Sequence, residues 1–273
     1  MNDVFGKSLS PLLEKKVFLL DMDGTIYLDH TVIEGTHPLL DALANQGKRA
    51  LYITNNSSRS VLDYVKKLEK MGISATPDDF FTSSMGMAMY LNQNLPGKRV
   101  YCMGTGSLIA ELVRAGISVT TEADDGVEAV VLGYDTELTY QKLSDVSRLL
   151  LKKDLPYLAT NPDYVCPVWY GFAPDCGAMA EMLRHAVKRM PKFIGKPDPM
   201  IVLQALRKVG CGPEDAVVVG DRLYTDIQSG VNAGVTTVAV LSGESSLEDV
   251  LAYPAKPDFT IPSVKMLADL LAK

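Results

Sequence analysis

Short apolar runs at residues 17–20, 50–53, 100–103, 129–132, 216–219 and 237–241 recur along the chain, and between them lie stretches with apolar residues at three- and four-residue spacing. The runs have strand length and the intervening stretches, at 39–45, 61–71, 108–115, 140–152, 179–190 and 200–209, have helical period. Strands that alternate with helices must return in the same direction, so the pattern predicts parallel sheets. Runs apolar on both faces need cover on both sides, which is the α/β, doubly wound plan. Gly47, Gly72, Gly116 and Gly210 stand where helices are expected to end, as C-caps prefer.

The chain has 273 residues, which suits two moderate domains. There are more strand and helix units than one small sheet needs, and polar stretches at 93–98 and 190–199 bracket the middle. The expectation is one domain from residues 1–84 and 188–273, with a second α/β domain inserted over 85–187. With 47% hydrophobic and 22% charged residues the composition is that of an ordinary globular protein. A net charge of −6 without a basic cluster argues against nucleic-acid binding, which neutralises backbone phosphates with Lys and Arg. The cysteines at 102, 166, 176 and 211 show no C-x-x-C spacing and read as reduced thiols. No apolar run reaches the ~18 residues of a membrane span, and the first residues lack a signal-peptide core. The expected setting is the cytoplasm, away from membranes.

Polar residues follow three of the strand runs directly. Val-Phe-Leu-Leu runs into Asp21-Met22-Asp23-Gly24-Thr25, Ala-Leu-Tyr-Ile into Thr54-Asn55-Asn56-Ser57, and Ala-Val-Val-Val into Gly220-Asp221. Carboxyl ends of parallel strands border the ligand crevice of an open sheet, so these distant segments are expected to converge. Asp21 and Asp23 repel each other, and Asp221 adds a third carboxylate; a divalent, oxygen-seeking cation relieves that cost, and Mg²⁺ suits a site with few protein ligands. Lys196, in Gly195-Lys196-Pro197-Asp198, adds a cation that with Thr54 and Asn55 would cradle a phosphoryl group.

The order D-x-D-G-T, T-N-N-S-S, G-K-P and G-D-x-x-x-T-D resembles the four signature motifs of haloacid dehalogenase-like phosphatases. The resemblance spans nearly the whole chain. The long insertion, with Leu132-Gly133-Tyr134-Asp135 and Ala159-Thr160-Asn161-Pro162-Asp163, resembles the NagD-like and p-nitrophenyl phosphatase-like subfamily. It implies a Rossmann-like core with an inserted α/β cap and Mg²⁺-dependent hydrolysis of small phosphorylated metabolites. By the same resemblance Asp21 attacks phosphorus, and Asp23 protonates the leaving group and then activates water. The Asp21 and Asp221 carboxylates and the Asp23 backbone carbonyl would hold Mg²⁺, with Thr54, Asn55 and Lys196 on the phosphoryl oxygens. Asp226 would support the metal shell, the alternative being a first-turn residue favoured by a helix dipole.

Two rival readings stay open at this point. Gly104-x-Gly106 after the 100–103 run, with Glu122 further on, suggests a dinucleotide site, although Ile109 stands where a third small residue belongs. A non-catalytic relative of the enzymes is the other. His30, His37 and His185 share no ligand spacing and read as surface residues. Ser57 or Ser58 reads as the N-cap of the 61–71 helix. Tyr164, Trp169 and Tyr170 could form a substrate wall or pack the core of the inserted domain, and the resemblance favours a specificity loop there. The sequence leaves substrate identity and oligomeric state, a homodimer included, undecided.

Overall fold

The computed structural model describes residues 1–168 and 170–272. It separates into two units, one of Met1–Thr54, Val65–Phe81 and Lys196–Lys273, the other of Asn55–Tyr64 and Thr82–Gly195. The second unit thus takes in residues 55–64 and 188–195 as well as the middle of the chain.

The first unit is built on a six-stranded sheet in the order Phe259–Ile261, Thr236–Val240, Ala216–Gly220, Val17–Leu20, Arg49–Thr54, Phe80–Thr82. Val17–Leu20 lies in parallel between Ala216–Gly220 and Arg49–Thr54, with Leu20 opposite both Val219 and Tyr52. The chain moves outward from this strand in one direction early and in the other direction late, which makes it the switch point of the sheet. Every residue of Val17–Leu20 and of Ala216–Gly220 is buried, as strands covered on both faces require.

The second unit has a five-stranded parallel sheet in the order Lys192–Phe193, Tyr157–Ala159, Ala129–Leu132, Arg99–Met103, Ser118–Thr120. Alternation along its strands divides two cores. Val100, Cys102, Ala129, Val131 and Leu158 face Leu91, Leu108 and Leu112 of the helices Ser83–Asn94 and Gly106–Arg114. Tyr101, Met103, Val130, Leu132 and Tyr157 face Val146, Leu149, Met179 and Leu183 of Tyr140–Lys152 and Cys176–Val187. A one-residue slip in any strand would exchange the two faces.

The six expected strands and six expected helices are present within a few residues, and Gly47, Gly72, Gly116 and Gly210 all have positive φ. The N-cap of the helix Val61–Lys70 is corrected: Ser60 accepts from the Asp63 N–H at 3.2 Å while Asp63 Oδ2 accepts from the Ser60 N–H at 3.1 Å. Ser57 lies too early in the chain to serve. Its hydroxyl instead sits 2.9 Å from Thr160 Oγ1 and accepts from the Tyr134 N–H, a buried network of the second unit.

The first turn of Gly106–Arg114 bears on the dinucleotide reading. A bound diphosphate would sit at this helix N-terminus, but the Glu137 carboxylate accepts from the Gly106 N–H at 3.1 Å there. His30, His37 and His185 are exposed. Tyr164 and Tyr170 are exposed beside the hairpin Val165–Val168/Gly171–Pro174, and Trp169 lies outside the described residues. Among the described residues no helix is long and apolar enough to cross a membrane.

Candidate active site

Strand register brings the acidic residues together. Because Leu20 is opposite Val219, Asp21, one residue beyond Leu20, and Asp221, two beyond Val219, emerge at the same carboxyl edge; the Asp21 N–H still bonds to Val219 O at 2.8 Å. Beyond Asp221 the chain makes one wide π-type turn, Leu223–Ile227, which carries Asp226 back toward the strand ends. One carboxylate oxygen from each of Asp21, Asp221 and Asp226 lies within 4.8 Å of the others.

Lys196 enters this cluster from the loop before the helix Pro199–Val209. Its ammonium donates to Asp21 Oδ1 at 2.6 Å, to Asp226 Oδ1 at 2.5 Å and to Ile53 O at 3.2 Å, and its side chain is only 4% exposed. Thr54 is buried at the end of the adjacent strand, directly after Ile53. The arrangement therefore gathers Asp21, Asp221, Asp226, Lys196 and the Thr54 strand end within the first unit.

Asn55, the next residue, also bonds within the second unit. Its amide Nδ2 donates to Asp163 Oδ2 at 2.7 Å in the second unit, where Asn161 Nδ2 also donates to Asp163 at 2.9 Å. A buried carboxylate needs such donors, and Asp163 is buried. Nothing in T-N-N-S-S distinguishes this destination from one beside Thr54.

Three glycines make room for the acids, two of them against one carboxylate. Gly24 has φ +88° and a Cβ there would overlap the Asp221 carboxylate, as would one on Gly243. A Cβ on Gly220 would collide with Asp226. Asp221 Oδ2 accepts from the Glu244 N–H at 2.7 Å, and Asp226 Oδ2 from the Arg222 N–H at 3.0 Å. Sequence reading missed Glu244, since its contribution is a backbone N–H that any residue could supply. It also missed the surroundings of Asp23, whose Oδ2 accepts from the Tyr27 hydroxyl at 3.2 Å and whose Oδ1 lies 3.5 Å from Lys67 Nζ.

The charges do not balance within the cluster. With all three carboxylates ionised, one ammonium would leave a surplus of two negative charges, while the neighbouring Arg222 is paired with Glu244 at 2.7 Å. Burial, and then the Asp226 charge, raise the Asp21 pKa well above the ordinary carboxylate value, against the pull of Lys196. Burial and Asp226 likewise raise Asp221 to about 7. For Lys196 burial works toward the neutral amine, but the Asp21 and Asp226 carboxylates prevail and hold its pKa above the usual lysine value. An all-oxygen donor set of this spacing and charge fits one Mg²⁺, whose ligands at about 2.1 Å stand roughly 3 to 4 Å from each other.

A stability prediction follows for the metal-free protein. Asp221 holds a proton in the folded state up to about pH 7 that the unfolded chain releases near its ordinary value of 3.8. Its contribution to stability is full below the unfolded value and is lost as pH rises through the folded one. Asp221→Asn removes this titration and keeps an acceptor for Glu244. In EDTA the melting temperature of Asp221→Asn relative to the parent should therefore rise between about pH 5 and about pH 7.5. A difference that stays flat or falls would contradict the burial argument.

Comparisons with known proteins place the chain in a family. Residues 18–118 match the haloacid dehalogenase-like hydrolase family and residues 193–267 a HAD-hydrolase-like family. The acid sugar phosphatase of Staphylococcus aureus (strain MRSA252) is 36% identical over 245 residues, covering 90% of this chain and 93% of the relative. The crystal structure of 4-nitrophenylphosphatase from Thermotoga maritima superposes with a TM-score of 0.89 at 36% identity, covering 95% of this chain and 98% of that one. Glycerol phosphate phosphatase from Mycobacterium tuberculosis in complex with magnesium gives a TM-score of 0.86 at 31% identity, covering 94% of this chain and 78% of that one. The chain belongs to the haloacid dehalogenase-like hydrolases, in their branch of NagD-like and p-nitrophenyl phosphatase-like enzymes.

Proposed function

We propose that this phosphatase hydrolyses small phosphate monoesters, sugar phosphates and nucleoside monophosphates among them, in a Mg²⁺-dependent reaction through an aspartyl-phosphate at Asp21. The observation that carries the proposal is the buried cluster of Asp21, Asp221, Asp226 and Lys196 with its surplus of negative charge. The magnesium complex of the M. tuberculosis relative supports the choice of metal.

In this reading the Asp21 and Asp221 carboxylates and the Asp23 backbone carbonyl hold Mg²⁺, and Asp226 shapes the shell around it. When bound, the ion supplies charge neutralisation at the phosphoryl oxygens. Lys196 holds Asp21 by its Oδ1 and so fixes the direction from which the carboxylate approaches phosphorus. It also brings a positive charge to the equatorial oxygens, where charge collects in phosphoryl transfer. Thr54 at the strand end donates to the same oxygens. Asn55 is proposed beside it. Asp23 protonates the departing oxygen, then takes a proton from the water that attacks the aspartyl-phosphate.

The second unit is proposed as the cap that reads the leaving group. The proposed setting is the cytoplasm, where four free cysteines remain thiols.

The test is phosphate release from a broad panel of phosphomonoesters, with Mg²⁺ and with EDTA. Release with Mg²⁺ that EDTA abolishes is expected; a panel that yields no phosphate under either condition would reject the reading. In the same assay Asp221→Ala should raise the Mg²⁺ concentration for half-maximal rate at least about tenfold or abolish turnover, since loss of even an outer-shell partner typically costs about this much. An unchanged metal requirement would remove Asp221 from the ligand set.

A further inference from the structure

Asp23 is gripped by two residues that the reaction scheme above does not use. Tyr27 is fully buried, and its hydroxyl reaches Asp23 Oδ2 at 3.2 Å. The chain folds sharply to allow this: the Gly24 N–H donates to Tyr27 O at 2.7 Å, and Asp23 and Tyr27 form an isolated bridge. Lys67 comes from the helix Val61–Lys70, with its ammonium 3.5 Å from Asp23 Oδ1 and 3.9 Å above the Tyr27 ring.

The position of Lys67 is unusual for a lysine on an amphipathic helix, which ordinarily keeps its ammonium in water. Here the side chain is 12% exposed, while Tyr64 and Leu68 of the same helix already supply its buried face. The loss of hydration is offset at two points, the face of the Tyr27 ring and the Asp23 carboxyl. The three side chains thus touch one another, and each oxygen of the Asp23 carboxyl has its own contact. Two contacts, one per oxygen, define the plane of the group and its rotation about the side-chain bonds.

A general acid works only when its proton is within hydrogen-bond reach of the departing oxygen. We propose that Lys67 and Tyr27 are positioning residues that orient the Asp23 carboxyl toward the leaving-group oxygen of the substrate. As an Asp21 carboxylate oxygen bonds to phosphorus and the ester P–O bond breaks, the electron pair of the broken bond passes to the ester oxygen, which takes the proton from Asp23 and departs as an alcohol. Asp23 is left as carboxylate, ready to accept a proton from water. The proposal rests on the assignment of Asp23 as acid and base.

Leaving groups separate positioning from anchoring. p-Nitrophenolate departs as a stabilised anion and needs little protonation, whereas an alkoxide needs it strongly. The value of kcat/KM, which reports the steps through ester cleavage, is to be measured with Mg²⁺ for p-nitrophenyl phosphate and for the best alkyl phosphate of the ester panel. Wild type, Asp23→Asn, Lys67→Met, Lys67→Arg and Tyr27→Phe are compared.

The alkyl-to-aryl ratio of kcat/KM should fall at least about tenfold in Lys67→Met, further in Asp23→Asn, and return most of the way in Lys67→Arg. Tyr27→Phe, which deletes one oxygen and keeps the ring under Lys67, should lower the ratio as well. It carries the test if Lys67→Met does not fold. If Asp23→Asn lowers the ratio while Lys67→Met and Tyr27→Phe reduce both substrates equally, the two residues merely anchor the fold and the positioning proposal is overturned. If Asp23→Asn itself leaves the ratio unchanged, the acid assignment falls and this proposal with it.

Discussion

Asp21→Asn should abolish turnover, with kcat down by at least about 10⁴-fold, because a neutral amide cannot take over the attack of the carboxylate on phosphorus. The loss should come without unfolding. Asn keeps the shape of Asp and can still accept from Lys196, and the substitution removes one of the three mutually repelling acids. In EDTA the variant should accordingly melt no lower than the parent, since burial and Asp226 already disfavour the Asp21 anion. Phosphate release and thermal melting on the same preparation check both halves. Appreciable activity in Asp21→Asn would end the nucleophile assignment, and a large drop in melting temperature would show that the charge account of the cluster is wrong.

Lys196→Met should have the second-largest effect, and on two properties together. The ammonium is the cation bonded to both Asp21 and Asp226. Its removal leaves buried carboxylates without that partner, which typically costs about 3 to 5 kcal/mol. In denaturant titrations without Mg²⁺ the variant should lose stability of that order. Turnover should fall at least about 10²-fold, since an electrostatic contact to the transferring group disappears. Adding Asp226→Asn to Lys196→Met should recover part of the stability and none of the activity, a coupling that a double-mutant cycle isolates. Full additivity of the two stability changes would mean that the pair does not interact as the 2.5 Å contact implies.

Much of the fold was legible because the central strands are uniformly apolar. Val17–Leu20, Ala129–Leu132 and Ala216–Gly220 are buried throughout, so their sequences show the run without interruption. The strands that escaped, such as Ser118–Thr120, Lys192–Phe193 and Phe259–Ile261, have two or three residues, too few for any period to register. They lie at or beside sheet edges, where half-polar composition is tolerated.

The cluster was legible for a different reason. Asp21 and Asp221 follow their strands directly, so a parallel register alone predicts their meeting, and the register between Leu20 and Val219 produces it. Asp226 was ambiguous because a helical first turn and a wide turn have the same composition; only the return of the chain over Leu223–Ile227 distinguishes them. Lys67 could not be singled out, since a lysine on a polar helix face is the commonest of surface residues. The contact of Asn55 with Asp163 could not be read either, because its partner is 108 residues away.

The proposed hydrolysis is a double displacement at phosphorus, in which a carboxylate and then a water each invert the phosphoryl group. Its most direct test is the stereochemistry of hydrolysis of an isotopically chiral p-nitrophenyl phosphorothioate by the Mg²⁺-loaded enzyme. Two successive in-line displacements give net retention of configuration, and this is the result expected whether or not the aspartyl-phosphate accumulates. Net inversion would mean that water attacks the substrate directly, and would contradict the covalent role given to Asp21.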